Sequence, residues 1–291
     1  MATIHNIQKC QILIHFRHAT FSQIMHQSKY YLTEVDKETD SIYCHHSLMG
    51  EVFIQEHEHS KGQFIYTEGG MVHIKTKDKI HYLPARHYMW IPPKMMHSIY
   101  PSSPKVLMRN LYFPVEITDD KFYHTLGIYH VSDMLLQLLL FTKKWKGDIR
   151  IDNESQYPIV NAFKVLLSQI SQNPLSLTLP KPKDARLQKL EEYLQDNLEE
   201  AIMFSDLAKE IGLSERSLHR LFKSDMNISF IRYYTLLRIF KAIEYLNEEK
   251  YTISEIAFMV GYSSVPTFSN TFYKILGKRP SDYSKGDQIF K

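Results

Sequence analysis

Arg216, His219, Arg220 and Lys223 stand at helical spacing on a segment whose intervening positions, Leu218, Leu221 and Phe222, are apolar. Residues three and four apart share a helix face, so the polar four form one basic stripe while the leucines and the phenylalanine turn inward. A guanidinium donates paired hydrogen bonds to a phosphate or to the acceptor edge of guanine, and the imidazole and ammonium add single donors. The chemistry expected of the stripe is contact with a polyanion that also offers hydrogen-bonding edges, and duplex DNA fits. An amphipathic helix facing only water would carry the same residues, so the case turns on the elements around it.

Those elements repeat. Phe204, Leu207, Ala208 and Ile211 recur at helical spacing, Gly212 breaks the helix, and Ser214 can cap a second one that carries the stripe. Further on, Ile253, Ile256, Ala257 and Val260 precede Gly261, then Ser263 or Ser264 as cap, then Phe268 and Phe272. Ala208 corresponds to Ala257, Gly212 to Gly261 and, after a one-residue slip, Phe222 to Phe272. The pattern is an internal repeat of a short helix, a tight glycine turn and a second helix. Residues 229–247 between the units read as one long helix of about 28 Å, at about 1.5 Å per residue. Reading helices held that far apart suit successive major grooves, which recur about every 34 Å on one side of a duplex.

Ahead of the repeat, the span 173–183 holds Pro174, Pro180 and Pro182 without helical period and reads as a linker. Before it, 63–66, Gly69-Gly70 and 71–74 have the look of a β-hairpin. Apolar runs at 88–91, 97–100 and 106–113, parted by prolines, extend this to a compact antiparallel barrel or sandwich. Segments 121–145 and 156–171 change to a helical pattern, and Leu135, Leu136, Leu138, Leu139 and Leu140 are more leucine than a small barrel must cover. They leave room for a subunit interface, although an intramolecular core would use them equally well.

Bulk properties bound the answer without naming it. With 291 residues, 44% of them hydrophobic, two globular domains are expected. The net charge of +3 does not announce a nucleic-acid protein, and from Asp184 onward fifteen Lys or Arg face sixteen Asp or Glu. Cys10 and Cys44, the two cysteines, are expected to be reduced and structural. No apolar run approaches the roughly 20 residues of a membrane span, and the start Met1-Ala2-Thr3-Ile4-His5-Asn6 lacks the layout of an export signal, so a cytoplasmic protein without membrane partners is expected.

The two repeat units, together with the tail Gly277-Lys278-Arg279-Pro280-Ser281-Asp282-Tyr283, resemble the paired helix-turn-helix module of the AraC/XylS family of bacterial transcription regulators over roughly the last hundred residues. The resemblance implies units at about 203–223 and 252–275 in a DNA-binding domain over 184–291. It places base-facing positions on Arg216, His219 and Arg220 in the first unit and on Val265, Pro266, Ser269 and Asn270 in the second. The family commonly has a basic residue where Asn270 stands, so the second unit should make fewer polar base contacts, with Lys274, Lys278 and Arg279 either near phosphates or simply solvated.

The amino-terminal half resembles the cupin barrel, through His57-Glu58-His59, Gln63 and Gly70 and then Pro92-Pro93-Lys94-Met95-Met96-His97. That resemblance implies a metal set of three His and one Glu in cupin enzymes; here Gln63 takes the Glu position, which weakens the set and leaves a three-His site on His57, His59 and His97 open. Cupin domains joined to this DNA-binding module typically bind a small effector, so His57, His59, Gln63, Tyr66, Trp90 and His97 become the candidate pocket.

The expected architecture is therefore α+β. A cupin-like sensing barrel spans 1–118, a helical dimerisation segment 119–172, the linker 173–183, and the all-α domain with two helix-turn-helix units joined by a long helix 184–291. The expected function is transcription regulation without catalysis or cofactor, with duplex DNA, a small-molecule effector and a second copy of the chain as partners and RNA polymerase as a candidate fourth. Two alternatives stand beside it: a cupin metalloenzyme with an appended helical domain, and a regulator whose barrel serves only assembly.

Overall fold

The computed structural model describes residues 32–50, 53–199 and 202–284. Cys10 and the first residues, on which two expectations fall, lie outside them. The amino-terminal half is built from β1 (Ile42–Leu48), β2 (Ile54–His57), β3 (Gly62–Glu68), β4 (Met71–Lys75), β5 (Lys79–Pro84), β6 (His87–Ile91), β7 (His97–Pro101), β8 (Leu107–Phe113), β9 (Gly127–His130), β10 (Gly147–Ile149) and β11 (Thr178–Pro180). They form two antiparallel sheets, one ordered β10-β1-β8-β3-β6-β9 and the other β11-β5-β4-β7-β2. Alternation of side chains assigns the faces. Ile65, Met89, Ile91 and Met108 join Val72, Ile74 and Ile99 in one core, whereas Phe64, Tyr66, Tyr88 and Trp90 belong to a second core on the opposite face of the first sheet.

Helices α1 (Asp133–Phe141) and α2 (Tyr157–Ile170) cover that opposite face. Leu135, Leu136 and Leu139 are buried in this second core, and Leu138 and Leu140 pack against it, so the leucine excess is taken up within the chain. On the outer side of the two helices Met134, Phe141 and Val165 stay exposed.

Three expectations are corrected. The hairpin across Gly69-Gly70 does not form, because β3 pairs with β6 and β8 while β4 pairs with β5 and β7. The glycines pass the chain from one sheet to the other, since burial of two opposed faces outweighs pairing of sequence neighbours. Residues 121–145 are not one helix: a 3-10 turn (Lys121–His124) leads into β9, which takes the free edge of β6 before α1 begins. The proline-rich span 173–183 is no free tether, for Thr178, Leu179 and Pro180 pair with His81, Ile80 and Lys79 on the edge of β5. Pro180 is tolerated because β11 is itself an edge strand.

The carboxy-terminal domain consists of α3 (Ala185–Asp196), α4 (Phe204–Glu210), α5 (Glu215–Met226), α6 (Phe230–Glu248), α7 (Ile253–Met259), α8 (Val265–Leu276) and α9 (Pro280–Ser284). Ten residues of α6, among them Phe230, Tyr233, Leu237, Phe240 and Ile243, are buried, as expected of a central strut packed on several sides. The domain rests on the second sheet, where Tyr82 and Phe240 stack at 4.0 Å between ring centroids. No helix among the described residues is long and apolar enough to cross a membrane.

Candidate nucleic-acid interface and barrel site

Each half of the repeat is built by the same local chemistry. Ser214 caps α5 by accepting from the Ser217 amide, Ser264 caps α8 by accepting from the Thr267 amide, and Thr252 with Glu255 forms a reciprocal capping box on α7. These caps satisfy amides that helix starts leave unpaired. Gly212 and Gly261 turn between the paired helices at φ +68° and +77°, a region that side-chain-bearing residues avoid. Ala208 and Ala257 are buried against their partners, as are Leu218, Phe222, Phe268 and Phe272.

With those residues turned inward, Arg216, His219, Arg220 and Lys223 lie exposed on the other side of α5. None of the three cations has an ion-pair partner among the described residues, and unpaired cations on one face suit contact with phosphate. His219 is more constrained, its ring lying 4.0 Å from that of Phe204 on α4.

On α8 the structure adds something the sequence did not reveal. Pro266, Asn270 and Lys274 are exposed, and Val265 and Ser269 are half-buried. The Arg279 guanidinium reaches back from the following loop, donating to Asn270 Oδ1 at 2.8 Å and to Ser269 Oγ at 3.4 Å, and sits 4.8 Å from the Tyr273 ring centre. A cation thus stands beside Asn270, the position at which the helix lacks one.

Inside the barrel, β2, the loop after it and β7 bring His57, His59 and His97 together. Their ring centres are 4.3 to 6.0 Å apart, and one ligand atom from each lies within 4.8 Å of the others. The Nδ1 atoms face backbone carbonyls: those of Gln55 at 2.7 Å, Lys61 at 2.5 Å and Met95 at 2.7 Å respectively. A carbonyl only accepts, so in His57 and His97 Nδ1 carries the proton and Nε2 presents a lone pair. The Nε2 atoms of His57 and His97 are buried without a hydrogen-bond partner among the described residues, and that of His59 is 3.2 Å from Gln63 Oε1. Gln63 is held by its own amide group, which donates to Asn110 Oδ1 at 2.9 Å and to the Tyr112 hydroxyl at 3.1 Å. Lone pairs of His57, His97 and Gln63 therefore converge around His59, an arrangement suited to a divalent cation or to the N–H and O–H groups of a bound molecule.

Tyr66 and Trp90, expected in this pocket, are placed elsewhere. Both are fully buried in the second core under α1 and α2, and the Trp90 indole donates to the Tyr123 carbonyl at 3.0 Å. Gln63 faces inward, so the even-numbered Phe64 and Tyr66 must face outward, and Trp90 pairs with Phe64 in register. Asn110 and Tyr112 were missed, although alternation along 107–113 puts them on the inner face with Met108.

Burial keeps five of the histidines of this half neutral. It lowers His57 and His59, and carries His97 to about 3, with the neighbouring imidazoles adding to the effect; His81 falls to about 4 and His87 to about 3, again chiefly through burial. The unfolded chain protonates these groups near pH 6.5 while the folded one does not, so stability is full above that value and is lost as pH falls toward the folded values. Each such group contributes a slope of up to about 1.4 kcal/mol per pH unit in that window. Melting temperatures recorded between pH 7.5 and 4.5 should fall steeply below about 6.5, and a flat profile would show that the histidines titrate alike in both states.

Comparison with known proteins places both halves. A family profile described as "AraC-like ligand binding domain" matches residues 39–130, and one described as "Helix-turn-helix domain" matches 207–286. The HTH-type transcriptional regulator NimR of Escherichia coli is 25% identical over 243 residues, covering 83% of this chain and 86% of its own. The HTH-type transcriptional regulator GbdR of Pseudomonas aeruginosa is 34% identical over 104 residues, which is 36% of this chain; the match spans only 28% of GbdR. Among solved structures, the C-terminal domain of AraT, a response regulator from Geobacillus stearothermophilus, is 30% identical, covers 35% of this chain and 85% of that one, and has a TM-score of 0.34. The relatives named here are regulators, and nothing in these likenesses supports a metalloenzyme.

Proposed function

We propose that this chain, which belongs to the AraC-type regulators through both of its domains, binds DNA in a sequence-specific way and regulates transcription under control of a small effector held by its amino-terminal half. The observation that carries the reading is the duplicated unit, in which two capped helices on one strut, α6, each turn a polar side to solvent. Selecting bound sequences from random duplexes tests it directly. Enrichment of two half-sites about one helical turn apart is expected, and a pool without enrichment would sink it.

In this reading Arg216, His219, Arg220 and Lys223 read the first half-site, while Val265, Pro266, Ser269 and Asn270 face the second, with Lys274 close to phosphate. Arg279 belongs to the second reading surface rather than to the solvated tail, because Asn270 and Ser269 hold its guanidinium. Arg279→Ala should relax preference at one base of the second half-site, at about 1–3 kcal/mol, and leave the first untouched. Combined with Asn270→Ala the losses should be less than additive, since the two side chains act as one. Uniform weakening on all sequences with a shallower salt dependence would instead put Arg279 on a phosphate.

His57, His59, His97 and Gln63 are the barrel's contact set for whatever controls it. The convergence of these lone pairs favours an electron-pair acceptor, either a divalent cation or a donor-rich effector head. A bound cation would supply fixed positive charge inside the barrel. Cobalt(II) or zinc(II) should raise the melting temperature of the parent protein, with His97→Ala abolishing the effect; no response to either ion leaves hydrogen bonding to an organic effector as the use of the cluster. The exposed Met134, Phe141 and Val165 on α1 and α2 form the apolar face on which a second copy would pack. The cytoplasm is the compartment such a function requires.

A further inference from the structure

Phe230, Tyr234 and Arg238 stand four residues apart on the strut α6 and so share one of its faces. They form the middle of a column of touching side chains that runs from one reading helix to the other. In the first unit the His219 ring lies 4.0 Å from that of Phe204, and Phe204 and Phe222 meet Phe230 at 4.8 and 5.5 Å. Phe230 stacks on Tyr234 at 5.4 Å, the rings 14° apart. Arg238 then lays its guanidinium 4.1 Å from the Tyr234 ring centre and donates to the Tyr234 hydroxyl at 3.0 Å.

The column ends at the turn of the second unit. The guanidinium is 5.6 Å from the Tyr262 ring centre and fills the space beside Gly261 that a side chain would take. Tyr262 passes the contact on to α8. Its ring meets Phe268 edge-on at 5.4 Å, and the Thr271 hydroxyl, which donates to the Thr267 carbonyl at 2.9 Å, keeps its oxygen for the Tyr262 hydroxyl. The first unit has no counterpart to this grip. Leu213 stands where Tyr262 does, and among the described residues nothing lies within 4 Å of the place a side chain would take at Gly212. One unit is therefore held to the strut by ring packing and the other by a cation wedged at its turn. Apolar packing is non-directional, whereas a guanidinium set against two rings with a directed hydrogen bond has a preferred orientation.

We propose that Arg238 sets the angle at which the strut carries α8, and through it the spacing of half-sites that the protein accepts. Arg238 is outside the reading set and acts as a positioning residue, through Gly261 and Tyr262. Spacing follows from the angle, because one added base pair moves the second half-site by about 3.4 Å along the duplex and turns it by about 35°. A unit locked to the strut cannot follow that move, and one held by apolar contacts alone can. The consequence for spacing rests on the DNA-binding reading, whereas the fixed angle between the helices does not.

The experiment uses the full chain and the duplex selected from random sequences, with variants of that duplex in which the second half-site is moved by one base pair or either half-site is scrambled. In the parent the move should cost about tenfold or more in affinity. Arg238→Met keeps an unbranched apolar side chain and removes the cation, and should weaken the properly spaced duplex about threefold to thirtyfold. The cost of the move should fall to about threefold or less, while the duplex that keeps only the first half-site binds as it does to the parent. Tyr262→Leu gives the second turn the residue of the first and should reproduce this loss from the other side of the contact. Combined with Arg238→Met it should add little, and Arg238→Lys should restore part of the spacing preference, since an ammonium keeps the charge without the planar face. An undiminished cost of the move in both single variants overturns the assignment, as does equal weakening at the two half-sites, which would make Arg238 a folding residue only.

A measurement without DNA decides the angle by itself. Distances between spin labels built in as unnatural residues at Ser224 on α5 and Lys274 on α8, both exposed, should be narrowly distributed in the parent and about twice as broad in Arg238→Met. Equal widths overturn the positioning role. A parent that selects no duplex, with the broadening still seen, overturns the regulator reading and leaves the role of Arg238 in fixing the two helices intact.

Discussion

Arg220→Ala should weaken binding to the selected duplex by about 5- to 150-fold, the equivalent of about 1–3 kcal/mol, and flatten preference at a single base of the first half-site. Arg220 is exposed on α5 and, among the described residues, has no carboxylate partner to release. Its removal therefore leaves the core of Leu218 and Phe222 untouched, and the melting temperature should stay within the range of ordinary surface changes, about 0.5 kcal/mol. Arg220→Lys separates the two uses of the cation, since lysine keeps the charge for phosphate but cannot form the two parallel bonds that single out guanine. Fluorescence anisotropy at fixed salt, on the selected duplex and on its single-base variants, checks both. A variant whose profile over those duplexes matches the parent's would move the reading surface off this face of α5.

The second large effect concerns folding. Gly261→Ala should destabilise the protein by about 3 kcal/mol or more, and Gly212→Ala by about 1 kcal/mol, although the two glycines occupy the same place in the repeat. Both have left-handed φ, so both pay the backbone cost of a side chain there. They differ in what the new methyl group meets. At Gly212 nothing among the described residues lies within 4 Å, whereas at Gly261 the methyl would stand 2.7 Å from the Leu198 carbonyl oxygen and against the Arg238 guanidinium. The arginine can swing away, but a backbone carbonyl cannot without moving the chain that carries it. Thermal unfolding of the two variants side by side is the check, and equal losses would mean that the surroundings of Gly261 yield freely.

The comparison of these glycines also shows what kind of information the sequence holds. The repeat, its caps and its glycine turns were readable because they are local: Ser214 needs only the amide three residues on, and Gly212 only its own dihedral angle. The basic face of α5 followed from spacing alone. What escaped was set by partners far along the chain. Nothing near Gly69-Gly70 says that β3 and β4 belong to different sheets, and nothing near Arg279 says that its guanidinium will find Asn270. In the barrel, His57, His59, Gln63 and His97 stand together, while Tyr66 and Trp90 lie on the other face of the same sheet. Counting alternate positions from Gln63 would have sent both to the far side of the sheet.

Because Thr178, Leu179 and Pro180 complete the second sheet at β5, the halves of this protein cannot be divided at the first proline without injury. A fragment ending at 172 would bare the backbone donors and acceptors along Lys79–His81, an invitation to intermolecular strand pairing and precipitation. A fragment carried past Pro180 keeps that margin covered, so solubility of the isolated amino-terminal half should depend on a handful of residues that look, by composition, like mere spacer.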